Sequence, residues 1–201
     1  MSCASPTFRL AARIGSFARD ERAAAAIEFA FIAPLMIGMY LATAEITQAV
    51  DTQRKVNRLA STVADLITQE TKTDPAELQS ILAIGSQVLQ PYRRTAPGVR
   101  AEGIQVTDSG AKLVWAATFE NGRFTMASVG KNAAASVPPE FNVAGTFVVK
   151  AVATLDYRPM LSWTAEQRAG LGLFGLFDSL AMGETIYLRP RVSTDVKCIG
   201  C

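Results

Sequence analysis

Between Ala23 and Val50 the chain reads AAAAIEFAFIAPLMIGMYLATAEITQAV, and Glu28 and Glu45 are the only charged residues in those 28 positions. A helix of a water-soluble protein keeps a polar face, and one that is apolar all round must be buried in protein or in lipid. The uncharged stretch between the two glutamates, Phe29 to Ala44, is 16 residues long. A span needs about 20 residues to cross hydrocarbon, and the flanking alanines and Ile46–Val50 supply the rest when one glutamate lies near an interface. The competing reading is the buried core helix of a soluble fold, but an unbroken run of this length is hard to cover in a chain of 201 residues.

The flanks orient it. Arg9, Arg13, Arg19 and Arg22 precede the run, while Arg54, Lys55 and Arg58 follow it. Basic residues favour the cytoplasmic side, and a long following domain is translocated largely regardless of its charge. The expected orientation is therefore N-terminus in and C-terminal domain out. A cleavable signal peptide cut after Ala44 is the rival, with a soluble exported protein as its product. Against it, helical periodicity continues past that point: Val56, Leu59, Val63, Leu66 and Ile67 recur at helical spacing among Asp51, Arg54, Lys55, Arg58 and Asp65. The pattern predicts one helix from about residue 20 to about residue 69, roughly 75 Å long at 1.5 Å per residue. Pro34 removes a backbone donor a third of the way along, so a kink is expected there.

The stretch Ala24 to Leu35, with Glu28-Phe29 at the helix start and Pro34 behind, resembles the N-terminal signature of the TadE/TadG-like family. These are pseudopilins or minor pilins of the bacterial tight-adherence (Flp) type IV pilus system. The family pattern is Arg-rich, then Gly-x-Ala-Ala-Val-Glu-Phe-Ala-Leu-x-x-Pro, then an apolar helix with a further Glu, here Glu45. The tail Tyr187 to Ser193 is also similar to that of some members. The resemblance implies a cut between Ala23 and Ala24 by a prepilin peptidase, although the family usually has Gly where Ala23 stands. It further implies that Glu28 pairs with the new terminal amine of a neighbouring subunit and that Phe29 follows this assembly carboxylate. On physical grounds alone, a carboxylate at membrane depth costs about 2.5–3.5 kcal/mol on insertion scales, which favours a partner. Solvation of Glu28 at the headgroup level is the plainer alternative. Glu45, the second intramembrane carboxylate, either pairs with a partner helix or marks the interface.

Beyond residue 72 the chain reads as a small α+β domain. Asp74, Pro75 and Glu77 form a helix start with a cap, a first-turn proline and a capping-box acid. Leu78, Ile81, Leu82, Val88 and Leu89 would give that helix its buried face, ending it before Pro91. Gly103–Thr107 and Ala111–Phe119 alternate around Asp108-Ser109-Gly110, a hairpin signal, and Asn121-Gly122 signals a further turn before a short strand, Arg123–Met126. Lys131–Pro139 reads as a loop, Gly145–Tyr157 as the clearest strand, and Thr185 as the start of the last one. The segment Leu161–Met182 is apolar and Gly-rich, either a cover over the sheet burying Leu173, Phe174 and Phe177 or an exposed patch. Trp115 and Trp163 are expected in the core.

Composition excludes much chemistry. The chain has no histidine, which removes Ser-His and Cys-His nucleophile pairs and most zinc sites. Net charge is +2, too small for a nucleic-acid surface. Asp156, Glu166, Asp178 and Glu184 show no spacing that singles out a catalytic pair, and Arg189-Pro190-Arg191 reads as a strand end sooner than an anion site. Cys3 lies in the basic lead. Cys198 and Cys201 form a terminal Cys-x-x-Cys, read first as a local disulfide of an oxidising compartment, with a link to another chain or free thiols as alternatives.

The expected organisation is a cytoplasmic lead over 1–22, a transmembrane helix over 23–50, its periplasmic extension over 51–72 and an α+β domain over 73–201, on a pilin-like plan. The expected function is non-catalytic: a pseudopilin-like or minor-pilin component of the bacterial inner membrane. Its partners would be other pilins, pilus-assembly proteins and the lipid bilayer, with no cofactor, metal or nucleic acid. The alternative is a signal-anchored periplasmic ligand-binding domain or enzyme unrelated to pili.

Overall fold

A computed structural model describes residues 21–128, 130, 133–160 and 179–201. Contacts group the chain into two units, Met1–Thr47 and Gln48–Cys201. Helix α1, Glu21–Thr68, supplies the described part of the first unit and the opening element of the second, and Pro34 lies inside it without ending it.

In the second unit the helix becomes one-sided. Thr52, Val56, Leu59, Ala60, Val63, Ala64, Ile67 and Thr68 are buried, at the three- and four-residue spacings that make one stripe. Leu66, expected in that stripe, is instead 37% exposed. It is turned about 100° from Ile67, and Ala64 occupies the stripe in its place. Strand β1, Lys72–Thr73, follows, then helix α2, Pro75–Ala83. Asp74 caps α2 as expected, its Oδ1 accepting from the Glu77 amide at 2.8 Å. The helix stops at Ala83, earlier than its apolar pattern suggested, and a separate turn, Gly85–Val88, carries the chain onward. Gly85, a poor helix residue, follows the break, and it is closely packed: a Cβ there would lie 3.1 Å from Pro97 Cγ and 3.3 Å from Leu59 Cδ2.

Five antiparallel strands form the main sheet: β2 (Gly98–Thr107), β3 (Gly110–Glu120), β4 (Arg123–Met126), β5 (Phe147–Tyr157) and β6 (Leu180–Leu188), in the order β4-β3-β2-β5-β6. Both turn signals hold. Thr107 pairs with Gly110 across the first hairpin, and Asn121 and Gly122 take φ of 50° and 75° at the second, the positive values that a tight primed turn requires. The last sheet strand begins at Leu180, five residues before Thr185, because Met182 is drawn into the core opposite Leu155. The apolar segment's remaining residues, including Trp163, Leu173, Phe174 and Phe177, lie outside the described residues, as do Cys3 and the start of the Lys131–Pro139 loop.

One sheet face meets α1. Val99, Ala101, Ala117, Val149, Ala151 and Ala153 join the helix stripe in one cluster with Leu78 and Leu82 of α2. Trp115 belongs to the same cluster. Its ring lies across Gly103, where a Cβ would sit 2.4 Å from the indole. The pairing register slips at that point, with Gly103 opposite Trp115 and Ile104 opposite Leu113. Val114 is thus the extra residue of a bulge that re-aims the strand.

The C-terminal tail then closes the unit. Trp115 Nε1 donates to Val196 O at 3.0 Å, the Arg191 amide donates to Thr68 O at 3.0 Å at the helix end, and the Ile199 amide donates to Thr73 O at 2.8 Å. Strand β7, Lys197–Cys198, runs parallel to β1.

Two outcomes are expected in chemical denaturation of the full chain in detergent. Gly103→Ala should lower stability by about 1–3 kcal/mol, because the added methyl overpacks against Trp115, and unchanged stability would contradict the ring placement. Asp74→Ala should cost about 1 kcal/mol through loss of the α2 cap, with Asp74→Asn close to wild type.

Candidate functional site

The candidate site is the α1 segment before Gln48, and its surface is its defining property. Leu35, Met36 and Ile37 are consecutive and all exposed. Successive helix residues point about 100° apart, so these three span about 200°, and exposed Phe31, one turn before Leu35, lies in the remaining arc. Phe29 is 71% exposed, Phe31 79% and Tyr40 73%. Leaving such side chains in water forfeits about 1.5–3 kcal/mol each relative to burial. The threonine hydroxyls in the run are satisfied within the helix: Thr43 Oγ1 donates to Met39 O and Thr47 Oγ1 to Thr43 O, both at 2.8 Å. That is how a polar side chain is accommodated where water is absent.

Among the residues singled out from sequence, Ala24, Glu28 and Phe29 are exposed on this segment and Glu45 is half-buried. Ala23 belongs to the helix, and its side chain is outside the described residues. Glu28 and Glu45 are 17 residues apart, which corresponds to about 26 Å along a helix, close to the ~30 Å thickness of bilayer hydrocarbon. The two carboxylates therefore bracket an apolar cylinder of membrane thickness.

Away from this segment the structure assembles polar groups for structural ends. Glu102, buried in β2, accepts from Arg100 Nε at 2.6 Å and lies 3.1 Å from Lys150 Nζ, one cation on each carboxylate oxygen. Sequence reasoning missed this trio because Lys150 reaches Glu102 only through the β2–β5 register. An Arg and a Glu two apart in a strand were the sole local signal.

Of the four carboxylates weighed as catalytic candidates, Asp156 is exposed and Glu184 half-buried, while Glu166 and Asp178 lie outside the described residues. No three His, Cys, Asp or Glu residues converge on a metal-sized site among the described residues. In the Arg-Pro-Arg element, Arg189 donates to Glu140 O at 3.4 Å and stands over the Phe141 ring. Arg191 Nη2 lies 2.9 Å from Asp65 Oδ1, a charge contact outside directed hydrogen-bond geometry. Both arginines hold the end of β6 and the tail in place. The sulfurs of Cys198 and Cys201 are bonded, with their Cα atoms 5.6 Å apart.

The family model of TadE-like proteins matches residues 23–65. That segment is TadE-like. The match covers the apolar cylinder and most of the packed half of α1, and stops three residues short of the helix end at Thr68. The sheet lies beyond it. No curated protein and no solved structure matches the chain. The TadE-like segment supports a role in the tight-adherence pilus system and interaction with other pilus proteins. Its apolar helix is compatible with a single-pass membrane anchor.

A charge at the middle of the TadE-like run should disturb that anchor. Ile37→Arg is expected to raise the insertion cost by about 3 kcal/mol and to reduce the share of protein that resists alkaline carbonate extraction. Retention equal to wild type would show that the run does not lie in hydrocarbon.

Proposed function

We propose that this chain is a pseudopilin-like or minor-pilin component in the assembly of a tight-adherence pilus, acting by packing and not by catalysis. The observation that carries the reading is the TadE-like match over a helix that is apolar all round up to Thr47 and one-sided after it. A helix with this surface is at home in lipid and equally in a bundle of similar helices. It can therefore hold a subunit in the inner membrane and later pack beside the helices of other pilins.

In this reading residues 1–22 are cytoplasmic, 23–50 cross the bilayer, 51–72 extend the helix into the periplasm, and 73–201 form the domain that contacts assembly proteins or caps a filament. Glu28 sets register and partner choice by pairing with a terminal amine of a neighbour. Ala24 would supply that amine after cleavage behind Ala23, with Phe29 packed next to the pair. The Cys198–Cys201 disulfide suits the oxidising periplasm.

Glu28→Ala in the native host should leave membrane insertion intact and impair piliation, with Glu28→Asp retaining part of it. Normal piliation in the alanine variant would remove the assembly role from this carboxylate. The intact mass of the protein from host membranes reads processing directly. A chain beginning at Ala24 supports the amine pairing, one beginning near Ile46 overturns the anchor, and one keeping the lead overturns cleavage at Ala23.

A further inference from the structure

Cys198 lies in the two-stranded ribbon that closes the Gln48–Cys201 unit. In that ribbon Thr73 is the register partner of Cys198, and partners on paired strands turn their side chains to the same side. That side faces inward: Thr73 is 2% exposed, and half-buried Cys198 packs on the hydrophobic cluster. Cys201, to which Cys198 is bonded, is exposed. The two sulfurs of one bond thus differ in access, one against the core and one open to solvent.

The fold holds this part of the tail without the sulfur bond. On either side of Cys198 the backbone is fastened: Val196 O accepts from Trp115 Nε1 at 3.0 Å, and the Ile199 amide donates to Thr73 O at 2.8 Å. The cross-link joins residues three apart, and so short a loop gains the least stability from closure. Thr73, meanwhile, is poorly served. Its Oγ1 is buried with no hydrogen-bond partner among the described residues, and a buried polar group left unpaired destabilises the state that contains it. A sulfur released at Cys198 is an acceptor, most strongly as the thiolate, and register puts it opposite that hydroxyl.

We propose that Cys198–Cys201 is a thiol–disulfide exchange site. Cys201 Sγ is the atom attacked, Cys198 Sγ is the leaving group, and Thr73 is the positioning residue that favours its release. The co-reactant is a dithiol on another protein. One of its thiolates attacks the exposed Cys201 Sγ, an intermolecular S–S bond forms, the Cys198–Cys201 bond breaks and its electron pair goes to Cys198 Sγ. The second thiolate then attacks the dithiol's own sulfur in the mixed disulfide and expels the Cys201 thiolate. Cys198 and Cys201 take up the two protons that the dithiol has lost, so the pair gains two electrons and the dithiol leaves as a disulfide. The reverse sequence closes the bond again, with the tail held throughout at Val196 and Ile199. Nothing in this chemistry depends on α1 being a membrane span.

The test equilibrates the full chain in detergent with mixtures of reduced and oxidised dithiothreitol, which stands in for the protein dithiol. Free thiols are then blocked with iodoacetamide, and the alkylation of the peptide holding Cys198 and Cys201 is read by mass. The wild-type pair is expected to be bonded after isolation in air and to open and close while the chain stays folded. Thr73→Val keeps the shape and removes the hydroxyl, and should shift the equilibrium toward the disulfide by about tenfold, a potential about 30 mV more negative. Thr73→Ser should restore the wild-type potential. The proposal would be overturned by free thiols in the isolated chain or by a disulfide that dithiothreitol opens only after denaturation. A valine variant with the wild-type potential, or equal shifts in the valine and serine variants, would overturn it as well.

Discussion

Everything in this molecule depends on one helix meeting two different surroundings. Up to Thr47 helix α1 exposes apolar side chains around its full circumference, with its Thr43 and Thr47 hydroxyls bonded to its own carbonyls. From Thr52 on, the same helix confines its apolar groups to one stripe that a sheet covers. Water tolerates the second surface and penalises the first, because the hydrophobic effect scales with the apolar area left exposed. Insertion in a bilayer is one answer to that penalty, and the packing among similar helices proposed above is another.

The sheet domain is organised to hold the packed half of this helix firmly. Alanines on β2, β3 and β5 share one buried cluster with the helix stripe, and Gly103 leaves room for the Trp115 ring. The indole N–H then fastens the tail at Val196. From there the tail meets the helix end at Thr68 and the following strand at Thr73. Last-turn carbonyls of a helix lack intrahelical partners, and here the Arg191 amide supplies one. The C-terminal tail therefore supports the C-terminal end of α1.

Local features of the fold were legible because they rest on neighbours in sequence. The Asp74 cap with Pro75, the turn at Asn121-Gly122 and the hairpin around Asp108-Ser109 each depend on side chains within a few residues of one another. Misreadings came where distant residues decided. Leu66 fits the apolar period, yet the stripe is centred by what the sheet offers, and Ala64 is covered in its place. Leu180–Met182 read as part of an apolar loop because only pairing with β5 makes them a strand. The second described helix stops at Ala83, and the packing of Gly85 against Pro97 and Leu59 is a contact that the apolar pattern running on to Leu89 does not encode.

The sequence by itself determined the apolar cylinder, its bracketing glutamates, the family signature around Glu28 and the α+β character of the C-terminal domain. Each is a matter of composition and period, which act along the chain. Tertiary structure alone decided the strand order β4-β3-β2-β5-β6, the union of Glu102 with Lys150, the return of the tail to Thr68, and the placing of Cys198 beside Thr73. Those depend on register, which is set when buried faces are matched and which no single segment carries.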